Sequence, residues 1–299
     1  MRRYSKSLSV VAFLSFACTA MAGDLGPTLQ KIKDNGILSL GVRDDSVPFE
    51  YSLGGGQEAG YSYDVAMAVV AAVKHELNMP NLQVKEILVT SQNRIPLLMN
   101  SSIDLECGTT TNNVERQKQV AFSTSIFVIG TKLLVNKSSG VKEWADLKGK
   151  NVVTLAGSTD ERLLRDMNDK QNLQMNVVSV KNVGEAFLMV QMGRAAAYMD
   201  DDAILYAERA KSSSPKDWDV VAKPYTREAY GCMLRRDDPQ FKRLVDGVIA
   251  DMMKNGTLVN IYNKWFMQPV PPKGFNVNFP MSADMRALFA SPNDKALDD

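Results

Sequence analysis

Apolar and polar positions fall into short blocks that alternate between strand and helix periodicity along the chain. A short helix is expected near Leu29 to Asn35, stopped by Gly36, followed by the apolar strand ILSLGVR from Ile37 to Arg43. DDSVPFEY reads as a turn with Pro48, and LGGGQ as a glycine-rich hairpin tip. From Tyr63 to Leu77, Val65, Ala66, Val69, Val70 and Val73 recur at helical spacing and predict a helix.

The stretch from Ile87 to Arg116 is the one the rest is arranged to present. It reads as a strand into Thr90 and Ser91, a helix carrying Arg94, a second strand into Cys107 and Gly108, and a Thr-rich turn with Arg116 beyond. In an open α/β sheet, ligands sit beyond the carboxyl ends of the strands, where free helix N-H groups attract negative charge. Hydroxyls and guanidinium groups at two such ends suggest an anion site.

VAFSTSIFVIGTKLLVN then returns as strands, and Lys137 to Gly140 form a polar loop before a second unit. There a helix from Asp160 to Asn168 follows Gly157, Ser158 and Thr159, making a second small anion cradle. MNVVSV is a strand, Gly184 to Met192 a helix, and RAAAYM a strand running into Asp200, Asp201 and Asp202. A carboxylate there could meet an ammonium group, or the acids could simply open a helix. DVVAKP and EAYGCMLRRDD read as two further strands, the second re-entering the first unit. A final helix from Gln240 to Asn255 is expected to continue through TLVNIYNKWF, and the remainder to form an extended arm. A chain that leaves one α/β lobe, builds another and returns has two crossings, hence a hinge and a cleft.

Charge narrows the partners. The leader has Arg2, Arg3 and Lys6 ahead of an apolar run from Val10 to Ala17, then Ala20-Met21-Ala22, as in a secretory signal cleaved after Ala22. A lipid anchor on Cys18 is the alternative. Cleavage leaves 32 of the 35 basic residues against 34 acidic ones, and near-neutral charge argues against nucleic acid or an anionic membrane as partner. It also leaves Cys107 and Cys232, for which an exported setting favours a disulfide over two buried free thiols. With His75 the only histidine, and expected at the surface, neither a Ser-His-Asp nor a Cys-His constellation is offered, and no zinc site or cofactor is expected.

The strings TSQNRIPLL, ECGTTTNNVERQK, AFSTSIFVIGT, EAYGCMLRRDDPQFK and PPKGFNVNF, in this order and with DDA after the second-lobe strand, carry a resemblance. The chain resembles the extracytoplasmic solute-binding proteins of polar amino-acid ABC transporters, and within them the glutamate/aspartate-binding proteins of Gram-negative bacteria. The resemblance implies an α/β, two-lobe periplasmic binding protein (type II) fold, with a signal peptide over 1–22, a first lobe over 23–129 and 224–299, and a second lobe over 130–223. It implies that Arg43, Ser91 and Arg94 grip a side-chain carboxylate, where planar bidentate donors are suited to the charge. Thr109, Thr111 and Arg116, with Ser158 and Thr159, would take the α-carboxylate, and Asp202, or Asp201 beside it, the α-ammonium. One position departs from the pattern. Where close relatives carry a histidine touching the side-chain carboxylate, this chain has Val183, a loss worth roughly 1 to 3 kcal/mol unless replaced. Asn182 is the nearest substitute; otherwise the site is retuned to another polar amino acid.

The expected mechanism is hinge closure over glutamate or aspartate, followed by docking of a monomeric periplasmic protein on an ABC permease. A dehydratase of the same fold and a sensor module are the rival readings, the first needing a positioned acid in the cleft.

Overall fold

The computed structural model describes residues 24–297, so the leader, its cleavage site and Cys18 lie outside the described residues. The first part of the chain runs α1 (Gly26–Asn35), β1 (Ile37–Val42), β2 (Asp45–Ser46), β3 (Glu50–Gly54), β4 (Gln57–Ala59), α2 (Tyr61–Glu76), β5 (Gln83–Leu88), α3 (Arg94–Met99), β6 (Leu105–Glu106), α4 (Val114–Gln117) and β7 (Ala121–Asn136). There follow β8 (Asn151–Leu155), α5 (Thr159–Gln171), β9 (Asn176–Val180), α6 (Val183–Gln191), β10 (Ala197–Asp201), α7 (Asp202–Lys211) and β11 (Trp218–Val221). The return comprises β12 (Arg227–Leu234), α8 (Pro239–Lys254), α9 (Thr257–Phe266), β13 (Pro269–Val270), β14 (Phe275–Asn276) and α10 (Ala283–Ala290).

β7 organises the molecule. Its first stretch, Ala121 to Gly130, pairs antiparallel with β12 in a sheet ordered β5-β1-β6-β12-β7. Its last stretch, from Thr131 on, pairs with β10 and β11 in a second sheet that continues through β8 to β9. One continuous strand therefore carries the chain from the first lobe into the second, and the return crosses beside it. Thr131 and Thr226 face each other there, their hydroxyls 2.8 Å apart.

The first lobe is held by an aromatic cluster. Phe49 meets Phe127, Tyr230 and Phe266 at centroid separations of 4.8, 5.3 and 5.3 Å, mostly edge to face, and Tyr61 donates its hydroxyl to the Ile126 carbonyl. Such ring pairs add to simple area burial. Gly60 lets α2 start against this cluster, since at its φ of 137° a Cβ would lie 2.1 Å from the Phe49 carbonyl oxygen. The second lobe packs Leu163, Leu164 and Met167 of α5 against Val152, Ala197 and Met199 of its sheet.

Cys107, just past β6, is bonded to Cys232 in β12, so the disulfide joins the outgoing first lobe to its return. Two C-terminal expectations are corrected. The last long helix is two helices, because Gly256 adopts φ 82° between α8 and α9. The arm beyond it is no simple extended segment: it contains the β13-β14 hairpin and α10, whose Met285 and Leu288 are buried against the first lobe.

Candidate functional site

Five parallel strands deliver the candidate residues from their carboxyl ends: Arg43 follows β1, Ser91 and Arg94 follow β5, Thr109 and Thr111 follow β6, Ser158 and Thr159 follow β8, and Asp201 ends β10. The two walls touch. At Gly157, whose φ is 76°, a Cβ would come 2.7 Å from Cγ of Gln92 in the other lobe. Thr111 and Thr159 hydroxyls stand 3.5 Å apart across the same gap, and the Gly184 N-H donates to Asp45 Oδ2 at 3.2 Å. The cleft is in its closed form.

The first-lobe wall is cationic. Arg43 is 2% exposed; its N-H donates to Glu50 Oε2 at 2.9 Å and its Nη1 to Ser91 Oγ at 3.3 Å. Arg94 is equally buried and has one carboxylate near it, Glu106 at 3.7 Å, while Nε and Nη1 have no hydrogen-bond partner. Burial brings its guanidinium down to about 9, against the pull of Glu106, and Arg116 and Arg43 press in the same direction as burial. Arg116 donates through Nη1 to the Thr111 carbonyl at 3.0 Å, and its own N-H is capped by Asn113. Burial lowers it too, opposed first by Glu228. Three arginines thus share one buried wall, and Arg94 has donors to spare, which burial makes costly unless an anion arrives.

The second-lobe wall is anionic. Carboxylate oxygens of Asp160, Asp200 and Asp201 all lie within 4.8 Å of one another, and all three residues are buried. Tyr198 donates to Asp200 and Tyr230 to Asp201, while Asp160 Oδ1 and Asp201 Oδ1 have no hydrogen-bond partner. Burial and then mutual repulsion push Asp160 and Asp201 well above the carboxylate range. Burial takes Asp200 up to about 6, with the Tyr198 hydroxyl opposing.

Not every expected residue faces this gap on equal terms. Asp202 opens α7, and its carboxylate is already met by the N-H groups of Ala203 and Gly130. Asp201 has a free oxygen in the acidic cluster. Ser158 Oγ caps α5 by accepting from the Glu161 N-H and donates to the Leu155 carbonyl, whereas Thr159 Oγ1 donates to Glu228 Oε2 at 3.0 Å. Asn182, the nearest substitute for a histidine at Val183, caps α6 through its Oδ1, which accepts from the Glu185 N-H, and Val183 is fully buried. Sequence reading missed Glu228 and Tyr230. Their spacing of two in EAYGCM puts both on one side of β12, and that alternation was the available signal.

The sequence profile described as "Bacterial extracellular solute-binding proteins, family 3" matches residues 38–268. The chain belongs to this family. It is 53% identical to the L-glutamate/L-aspartate-binding protein of Pseudomonas aeruginosa over 97% of this chain and 96% of that protein. It is 50% identical to the glutamate/aspartate import solute-binding protein of Escherichia coli strain K12, over 97% of each. Among solved structures, an arginine-binding protein of T. maritima superposes with a TM-score of 0.73 at 27% identity, over 81% of this chain and all of that one. An ancestral amino acid-binding protein described as a precursor of cyclohexadienyl dehydratase superposes with a TM-score of 0.69 at 27% identity, over 80% and 99%. The two-lobe binding-protein architecture and an extracytoplasmic solute-binding class follow from these matches.

Proposed function

We propose that this protein is the periplasmic, ligand-capturing component of an amino-acid ABC importer, made with a cleaved signal peptide, and that it takes an acidic amino acid. The observation that carries this reading is Arg94, a buried guanidinium with two unpartnered donors between Arg43 and Arg116. Arg43, Ser91 and Arg94 hold the side-chain carboxylate. Arg116, with Thr109, Thr111, Thr159 and the free end of α5 capped by Ser158, holds the α-carboxylate. Asp201 rather than Asp202 accepts from the α-ammonium, because Asp202 is spent on backbone N-H groups.

Closure of 130–223 onto 23–129 and 224–299 brings both walls onto one molecule, so ligand selects the closed form, which a membrane permease then recognises. Binding without turnover fits the set: the acids of the cleft are grouped around an ammonium position, and the relatives at 50% identity and above are described as binding proteins. The protein works as a monomer in this reading.

The test is calorimetric titration of ligand-stripped protein with glutamate, aspartate and arginine. Acidic ligands are expected to bind near micromolar affinity and arginine not to bind. Preference for arginine would overturn the charge assignment, and turnover of prephenate or arogenate would replace the transport reading with the dehydratase.

A further inference from the structure

Asp45 stands where the two lobes meet beside the arginines, and nothing in the reading above uses it. It lies in β2, two residues after Arg43, and its side chain is 23% exposed. Oδ2 accepts the N-H of Gly184 in the first turn of α6, on the opposite lobe. Oδ1 faces Arg43 Nη2 at 3.8 Å, is shielded from solvent and has no hydrogen-bond partner. Asp45 therefore occupies the second-lobe side of the distal subsite, at the end of α6 that begins with Val183.

The subsite presents two kinds of unmet need. Arg94 Nε and Nη1 are donors without acceptors, and Asp45 Oδ1 is an acceptor without a donor. A carboxylate is acceptor only, so it answers Arg94 but brings a like charge toward Asp45 and competes with it for Arg43. A carboxamide answers both, its carbonyl oxygen toward Arg94 and its amide N-H toward Asp45.

Resting on the reading of Arg43, Ser91 and Arg94 as the distal subsite, we propose that the cleft also takes amino acids with carboxamide side chains, and that Asp45 is the residue that admits them. Asp45 sets specificity by offering an acceptor and by sharing Arg43, and its bond to Gly184 makes that offer only when the cleft is closed.

Titration of ligand-stripped wild type, Asp45→Asn and Asp45→Ser with glutamate, aspartate, glutamine and asparagine tests this, with a thermal melt of each variant to establish folding. In the wild type, glutamine or asparagine is expected to bind within about 100-fold of the matching acid. In both variants, the acid-to-amide affinity ratio should move toward the acid by about tenfold or more, since the carboxylate no longer meets a like charge while the amide exchanges an ionised acceptor for a weaker neutral one. Wild-type binding of acids with no measurable amide binding would overturn the inference while leaving the importer reading intact, as would an unchanged ratio in folded variants. Absence of binding by all four ligands would overturn both.

Discussion

The two walls of the cleft solve opposite problems with the same fold. On the first lobe, Arg43, Arg94 and Arg116 are buried but moderated by Glu50, Glu106 and Glu228, each reaching them from a strand or the residue beside one. On the second lobe, Asp160, Asp200 and Asp201 crowd together, with tyrosine hydroxyls on Asp200 and Asp201 and Thr131 on Asp160. One wall is a set of cations in which Arg94 has donors to spare, the other a set of carboxylates in which Asp160 and Asp201 have acceptors to spare. The difference teaches that neither lobe is electrostatically complete alone. In the proposed function, a zwitterion laid between them would relieve both, which would tie binding to closure.

The comparison breaks most readily at Arg116. Replacing it with alanine removes a buried charge from the α-carboxylate position and leaves Glu228 behind, and affinity for any amino acid should fall by about 1,000-fold. Calorimetry reads this directly, and a loss under tenfold would remove Arg116 from the site. Arg94→Ala cuts more selectively: glutamate should lose about 100-fold and glutamine about tenfold, because the charged partner gains more from a guanidinium. Equal losses for the two would count against its place at the side chain.

On the second wall, Asp201→Asn should weaken binding by about 30-fold, and Asp202→Asn by less than about threefold, since only the former leaves the ammonium without an ionised acceptor. The reverse order would restore Asp202 to the ammonium. The smallest effect is on stability. Asp200 holds its proton up to about 6 in the folded chain, above its ordinary value of 3.8. The folded state therefore binds more protons than the unfolded one through that window, and ligand-free stability falls as pH rises from about 4 through 6. Asp160 and Asp201, raised in the same direction by burial and mutual repulsion, add to the decline. A drop of about 5 °C in melting temperature between pH 5 and 7.5 is expected for the stripped protein, and a smaller one with saturating glutamate. A flat profile would mean that the acids are relieved by something other than ligand.

Much of the first wall is legible in the sequence. A strand ending in Arg43, a strand and helix delivering Ser91 and Arg94, and a Thr-rich turn leading to Arg116 are local patterns, and local patterns survive folding when each agrees with its burial. The helix over α2 is of the same kind, read from valines at helical spacing and found within two residues at either end. The C-terminal segments were harder. The stop at Gly256 and the short helix α10 depend on contacts with the first lobe, which periodicity does not encode.

The sequence by itself determined the alternation of strands and helices ahead of the C-terminal segments, the pair of cysteines available for a bond, and the placing of arginines and acids after strands. Only the tertiary structure decided which of those charges meet. Glu228 and Tyr230 return to the site from more than a hundred residues beyond Arg116, Asp45 reaches α6 across the cleft, and Asn182 turns to its own helix. The physical reason is range. Periodicity and capping act over a few residues, whereas the energy of a buried charge depends on every group brought within a few ångströms of it. Those neighbours are fixed when β7 and β12 cross side by side and the two lobes close.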